Sequence, residues 1–177
     1  TLIAVTDLRY GHTADIGKFG PNGEWGQDSH IHRVDIIVKR STDNGLTWDN
    51  SSTKITNAPD NPVQYGYGDA AIVADRESDN VLIICAHGDP RYGHYKAGNA
   101  NTRLKVVKLR SSDGGKTFTS PEEITTSIYS LNGNWGTLFF SSGKIMQSRR
   151  IKKDNYYFKS IYDAKTKKNV TERLISL

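Results

Sequence analysis

Two stretches of the chain carry the same hydrogen-bonding side chains at the same spacing. Residues 41–48, Ser-Thr-Asp-Asn-Gly-Leu-Thr-Trp, and 111–118, Ser-Ser-Asp-Gly-Gly-Lys-Thr-Phe, share the pattern Ser-x-Asp-x-Gly-x-Thr-aromatic. An Asp placed two residues after a Ser and four before a Thr does turn chemistry: the carboxylates of Asp43 and Asp113 accept hydrogen bonds from backbone N–H groups inside the loop. Gly45 and Gly115 supply the positive φ that a tight hairpin needs. Trp48 and Phe118 are expected to re-enter the core where the next strand starts. Asp43 and Asp113 are therefore read as residues that hold turns and do not touch a substrate.

The other reactive side chains point less far. His30-Ile31-His32 alternates on a possible strand, and His87 lies near His94. A His-x-His pair offers two ligands on one face, but no carboxylate or third His has convincing spacing, so no metal site is expected. Gly66-Tyr67-Gly68 lacks the strand–Gly–helix context of a phosphate loop. The basic run 165–168 has no aromatic interleaving and no continuous basic stripe, and reads as a solvated turn rather than a nucleic-acid contact. Cys85 ends the run Val81-Leu82-Ile83-Ile84-Cys85. It reads as a buried small hydrophobe, and as the sole cysteine it has no partner for an internal disulfide.

These side chains must be positioned by strands. No window of eleven or more residues keeps an apolar face at i, i+3, i+4 and i+7. Strand patterns bounded by Gly, Asn, Asp or Ser occur at 1–6, 34–39, 71–74, 81–86, 104–110, 138–140, 144–148, 156–161 and 171–176. Many short strands with turn punctuation predict an all-β sandwich, barrel or propeller. The 177 residues, 36% of them hydrophobic and with a net charge of +5, fit a globular, mildly basic protein rather than a disordered one. No segment has the apolar length of a membrane-spanning helix. The modest positive charge favours an anionic ligand.

An internal repeat chooses among the all-β folds. Residues 34–48, a strand followed by the first octet, align without gaps on residues 104–118. A strand-plus-turn device repeated at tens of residues marks a modular β architecture, of which the propeller is the usual case.

The octet resembles the Asp box of bacterial neuraminidases and related repeat proteins, a motif that indicates fold rather than function. The stretch 1–10, ending in Asp7-Leu8-Arg9-Tyr10, resembles the strand of exo-α-sialidases that closes on Asp-x-Arg. The family's order then continues with a loop carrying an Asp, a strand containing Val-Asp, here Val34-Asp35, and the first Asp box. Tyr67-Gly68-Asp69-Ala70 resembles the family's Gly-Asp-Pro-Ser segment, with Ala70 where Pro is common. The resemblance covers residues 1 to about 118 and weakens beyond.

What the resemblance implies is specific. The fold is a six-bladed β-propeller of the sialidase superfamily. At roughly 40–50 residues per four-stranded blade, about half of it is present in this chain as a partial catalytic domain, with its boxes at 41–48 and 111–118. Strand-like ends at Thr1 and Leu177 are read as truncation at both sides. The implied activity is hydrolysis of terminal α-linked sialic acids with retention, and the isolated fragment is expected to be inactive. Arg9 and Asp69 would contact polar groups of the sugar, around its 4-hydroxyl. The general acid/base is an Asp in loop 11–33. Asp15 has the family spacing counted from the Arg, and Asp28 has it counted back from the box. We favour Asp15, because a loop that lengthens after the catalytic residue leaves the residue's strand anchor undisturbed; Asp28 is its rival. His12 and His87 would line the pocket.

The resemblance places the nucleophilic Tyr, its Glu and the arginine clamp outside this sequence, so Glu122, Glu123, Arg149, Arg150, Tyr156, Tyr157 and Tyr162 are not assigned roles. It implies no cofactor, sialylated glycans and the rest of its own propeller as partners, and a secreted or cell-surface location. The rival readings are a non-catalytic Asp-box propeller acting as a carbohydrate-binding module, and a trans-sialidase.

Overall fold

The computed structural model describes residues 1–9, 34–58, 66–88, 105–129, 138–140, 143–147, 157–163 and 168–173. The first sheet pairs β1 (Leu2–Arg9), β2 (Val34–Ser41) and β3 (Thr53–Lys54) in that order, all antiparallel. The second is built from β4 (Gly66–Ala74), β5 (Val81–Gly88), β6 (Lys105–Ser111) and β7 (Glu122–Glu123), paired antiparallel in sequence order. A five-residue helix, α1 (Thr125–Tyr129), follows. The third comprises β8 (Leu138–Phe140), β10 (Met146–Gln147), β11 (Tyr157–Asp163) and β12 (Lys168–Arg173), while β9 (Gly143–Lys144) joins the free edge of β4 in parallel.

Every strand window expected from the sequence meets an observed strand. The differences are at boundaries and in short elements. β3 and α1 were not expected, being too short to show a period. β12 begins at Lys168, inside the basic run read as a turn. β4 begins five residues earlier than expected, because Gly66 and Gly68 read as loop punctuation although they lie in a strand.

The second sheet is the centre of the described fold, and β5 shows why. In a strand, alternate side chains point to opposite faces. Leu82 and Ile84 enter one apolar cluster with Ala71, Val73, Val106, Ile124, Ile128 and Ile145. Ile83 and Cys85 enter another with Ile36 and Val38 of the first sheet and Val107 and Leu109 of β6. The run is continuously apolar because both of its faces are covered. In β1 the pattern is instead alternating: Ile3 and Val5 pack against the second cluster, while Leu2, Ala4 and Thr6 on the opposite face are exposed.

The first and second sheets are also tied by polar groups. Arg40 of β2 donates from Nε to the carbonyl of Gly114 at 3.1 Å. Within the first sheet, the fully buried carboxylate of Asp35 accepts from Thr56 Oγ1 at 2.9 Å and from the Ala58 N–H at 2.6 Å, with Lys54 Nζ at 3.8 Å. Those partners satisfy a charge that burial would otherwise penalise by several kcal/mol, roughly. They also pin the chain leaving β3 across β2.

Both octets form the expected turn. In the first, Ser41 Oγ donates to Asp43 Oδ1 (2.7 Å) and accepts from the Gly45 N–H (2.8 Å), while Thr47 donates its N–H to Oδ1 (2.9 Å) and its hydroxyl to Oδ2 (2.5 Å). The second repeats these bonds with Ser111, Asp113, Gly115 and Thr117. Gly45 has φ +90° and Gly115 φ +80°. The aromatic residues part company. Phe118 packs against the cluster between the first and second sheets, as expected. Trp48 does not: it is 39% exposed, which corrects the expectation that it re-enters a core. The second octet has the first sheet to pack on, and no described sheet stands in that place for the first octet.

Candidate active site

Arg9 is the last residue of β1, and its cross-strand partner is Val34. At that same end β4 begins: a Cβ built on Gly66 would lie 3.4 Å from Val34 Cβ. The two sheets therefore approach closely where the inner strands β1 and β4 present Arg9 and, a few residues on, Asp69.

Asp69 sits in a β-bulge. Gly68 pairs with Ala86 and Ala71 with Ile84, so three residue steps on β4 match two on β5 and the pairing is interrupted between them. The extra residue is accommodated by a left-handed backbone at Asp69, φ +56°. Among non-glycine residues Asp and Asn adopt this region most readily, at a cost of about 1 kcal/mol. Bulges re-aim a side chain, and residues held in such conformations cluster at functional sites. Ala70 and Ala71, next in the chain, are both buried and enter the two opposite apolar clusters. Packing on both sides thus holds the bulge.

Opposite the bulge lies Cys85. Its thiol is pushed up by burial first, then by the nearby carboxylates of Asp7 and Asp69, and it stays neutral and unreactive. Asp7 pairs across β1 and β2 with Ile36, which shares an apolar cluster with Cys85. Asp7 and Arg9 are two apart on a strand and so lie on the same face. Arg9 Nη2 donates to Asp7 Oδ2 at 3.2 Å, with side-chain exposures of 34% for the Arg and 15% for the Asp.

A fourth group borders the site. Tyr67 and His87 pair across β4 and β5, and their rings stack with centroids 4.2 Å apart and planes 13° apart. His87 Nδ1 lies 3.1 Å from the carbonyl of Gly66. A carbonyl only accepts, so Nδ1 carries the proton and Nε2 is the acceptor nitrogen. Burial holds the His87 pKa below its ordinary value, against the Gly66 bond, which raises it; Lys105 lowers it further and Glu123 raises it. Tyr67 is pushed up by burial, then by Cys85 and Asp35. Both rings are neutral at pH 7. The resemblance implies His87 at the pocket; the structure stacks it on Tyr67, two residues before Asp69 on β4. The signal for Asp7 was the strand alternation that puts it beside Arg9.

Of the remaining candidates, Asp15, Asp28 and His12 lie outside the described residues, as do His30, His32, His94, Arg149, Arg150 and Tyr156. Glu122 and Glu123 pair with Lys108 at 2.9 Å and Lys105 at 3.1 Å, on the outermost strand of the second sheet. Among the described residues no group of three or more His, Cys, Asp or Glu is arranged to hold a metal ion. None of their helices is long and apolar enough to cross a membrane.

No family model matches the chain. Among solved structures, a Hadza microbial sialidase, Hz136, superposes with a TM-score of 0.67 at 20% identity, covering 96% of this chain and 31% of its own. A sialidase of Bacteroides fragilis (strain YCH46) is 27% identical over 137 residues, 72% of this chain and 23% of the relative. A sialidase of Clostridium perfringens is 29% identical over 126 residues, 66% of this chain and 30% of the relative. The chain is thus similar to bacterial sialidases over 66–72% of its length. The intramolecular trans-sialidase from Ruminococcus gnavus, solved with oseltamivir carboxylate, shares the fold at a TM-score of 0.64 and 11% identity, over 99% of this chain and 58% of its own. The sheets described above share the fold of these two solved structures, consistent with part of a β-propeller. The chain spans less than a third of the length of the two curated relatives.

Proposed function

We propose that this chain is part of an exo-α-sialidase that hydrolyses terminal α-linked sialic acids with retention of configuration. The observation that supports the reading is the strained bulge that holds Asp69 on β4, the strand that packs beside β1 and its Asp7–Arg9 ion pair. Arg9 and Asp69 bind polar groups of the sugar. A loop carboxylate, Asp15 with Asp28 as its rival, protonates the leaving aglycone oxygen and then deprotonates the incoming water.

The chemistry explains the rest of the apparatus that the resemblance assigns to other parts of the family's chain. A carboxylate nucleophile would be repelled by the substrate's own carboxylate, so a Tyr serves, with a Glu taking up its proton. Three arginines hold the substrate carboxylate, which suits a planar, permanently charged, bidentate group. No cofactor or catalytic metal enters these steps. The substrates are sialylated glycans, which lie outside cells, and a secreted or cell-surface location follows from that.

The test is hydrolysis of a fluorogenic sialoside by the full-length protein. Asp15→Ala is expected to lower kcat by about 100-fold or more, the ordinary worth of a general acid/base, with Asp28→Ala near wild type. The reverse pattern moves the role to Asp28. Binding of sialic acid without turnover by the wild type favours a carbohydrate-binding module instead, and transfer to a sugar acceptor or to the substrate's own hydroxyl marks a trans-sialidase.

A further inference from the structure

We infer that Asp7 is a specificity-determining positioning residue, which aims Arg9 and cancels its charge so that Arg9 binds neutral hydroxyls of the sugar rather than anions. The inference rests on the reading that Arg9 touches the sugar. One face of β1 carries Ile3, Val5, Asp7 and Arg9 in order, the first three half-buried and Arg9 exposed. Its first two members pack in the apolar cluster between the sheets. Asp7 is where that face turns polar. Its side chain is 15% exposed and its cross-strand neighbour is the fully buried Ile36, with Arg9 the more exposed partner of the ion pair. A guanidinium on a long stem has many rotamers, and an ion pair of this exposure contributes little stability. What it does contribute is direction, since one Nη2 hydrogen bond at 3.2 Å fixes the plane in which the other donors point.

The charge argument is separate. A sialidase must place the substrate carboxylate on its arginine clamp and nowhere else. Arg9 without the Asp7 carboxylate would compete more strongly for that carboxylate and for inorganic anions. Paired with Asp7, it presents hydrogen-bond donors with little net charge, which suits a hydroxyl. Asp69, which the proposed function also places on the sugar, would add an acceptor for the same hydroxyl's proton.

The experiment uses the full-length protein with a fluorogenic sialoside, and inorganic phosphate as a competing anion at fixed ionic strength. Asp7→Asn is nearly isosteric and should fold. It is expected to raise KM about tenfold with kcat little changed, the worth of one charged hydrogen bond, and to make phosphate a several-fold stronger inhibitor. In an Arg9→Ala background, Asp7→Asn should change neither quantity further. Asp7→Glu, which keeps the charge, should recover the wild-type phosphate sensitivity. An Asp7→Asn enzyme with unchanged KM and unchanged phosphate inhibition overturns the inference, as does the same change in both Arg9 backgrounds. If Arg9→Ala itself equals wild type, the sugar-binding reading of Arg9 falls and takes the inference with it, whereas a normal Arg9→Ala defect with a silent Asp7→Asn removes only the role of Asp7.

Discussion

The two octets share a sequence pattern and a hydrogen-bond scheme, yet they sit in different surroundings and hold their carboxylates differently. In the second, the Lys116 N–H donates to Asp113 Oδ1 at 2.9 Å. The corresponding N–H of the first, on Leu46, instead faces the backbone carbonyl of Asp43 at 3.4 Å. The residue after the Asp adopts a left-handed backbone in both, as Asn44 (φ +61°) and as Gly114 (φ +71°). The turn itself is thus self-contained: Ser, Asp, Gly and Thr make it whatever lies outside. Packing depends on context, since Gly115 and Phe118 meet the first sheet while Leu46 is 86% exposed and Trp48 39%.

The sharpest way to break the comparison is at the glycines. A Cβ on Gly115 would lie 2.5 Å from Ile3 Cδ1 and 3.3 Å from Cγ1, whereas one on Gly45 would meet only Leu2 Cδ1 at 3.3 Å. Both substitutions carry the cost of a left-handed alanine, about 1–2 kcal/mol. Gly115→Ala adds overpacking against a side chain wedged between sheets, for a total of about 2–4 kcal/mol. Denaturant unfolding of the full-length protein should rank Gly115→Ala well below Gly45→Ala. Truncating Ile3 to Ala should narrow the gap. Equal effects would mean that the second octet does not press on β1.

A smaller difference is expected at the aromatic ends. Phe118→Ala removes contacts with a packed cluster and should cost about 2 kcal/mol, less than a fully buried Phe because the ring is only partly covered. Trp48→Ala should cost about 1 kcal/mol or less, in line with surface substitutions. Thermal unfolding of the two variants measures this directly. A larger loss for Trp48→Ala would show that the Trp is covered by a part of the protein outside the described residues.

How much of this was legible beforehand follows from the range of each interaction. The octets could be read in full because their bonds span four residues, and the double-faced burial of β5 because its apolar run is unbroken. Trp48 was misread because a turn motif fixes where an aromatic side chain leaves the loop, and the neighbouring sheet fixes what it meets. Asp69 was found through its resemblance to a family segment, but its strained bulge was not, since Gly66 and Gly68 read as loop and the register against β5 is a long-range property. The ion pair of Asp7 and Arg9 was implicit in strand alternation and needed only the strand to run on to Arg9. The choice between Asp15 and Asp28 rests on two spacings that disagree by the length of an inserted stretch, and only the path of that loop decides it.

The finest difference between the octets is in their protonation. Hydrogen bonds from Thr47, then from Ser41, hold the Asp43 carboxyl down to about 2. Asp113 is held lower still by Thr117 first, then Ser111, with the added Lys116 N–H. Unfolded Asp titrates near 3.9, roughly. Because the folded values are depressed, the stabilisation from each carboxylate is fully present above about pH 4 and is lost as pH falls through the folded value. Acidification should therefore loosen the first octet before the second. In an NMR titration the Thr47 amide should shift with a midpoint near pH 2, and the Thr117 amide at a lower pH. Replacing Lys116 by Pro removes the extra donor and should bring the second midpoint up toward the first, provided the turn retains its fold. Coincident midpoints in the wild type would mean that the Lys116 N–H adds nothing to the hold on Asp113 and that the two turns are electrostatically the same.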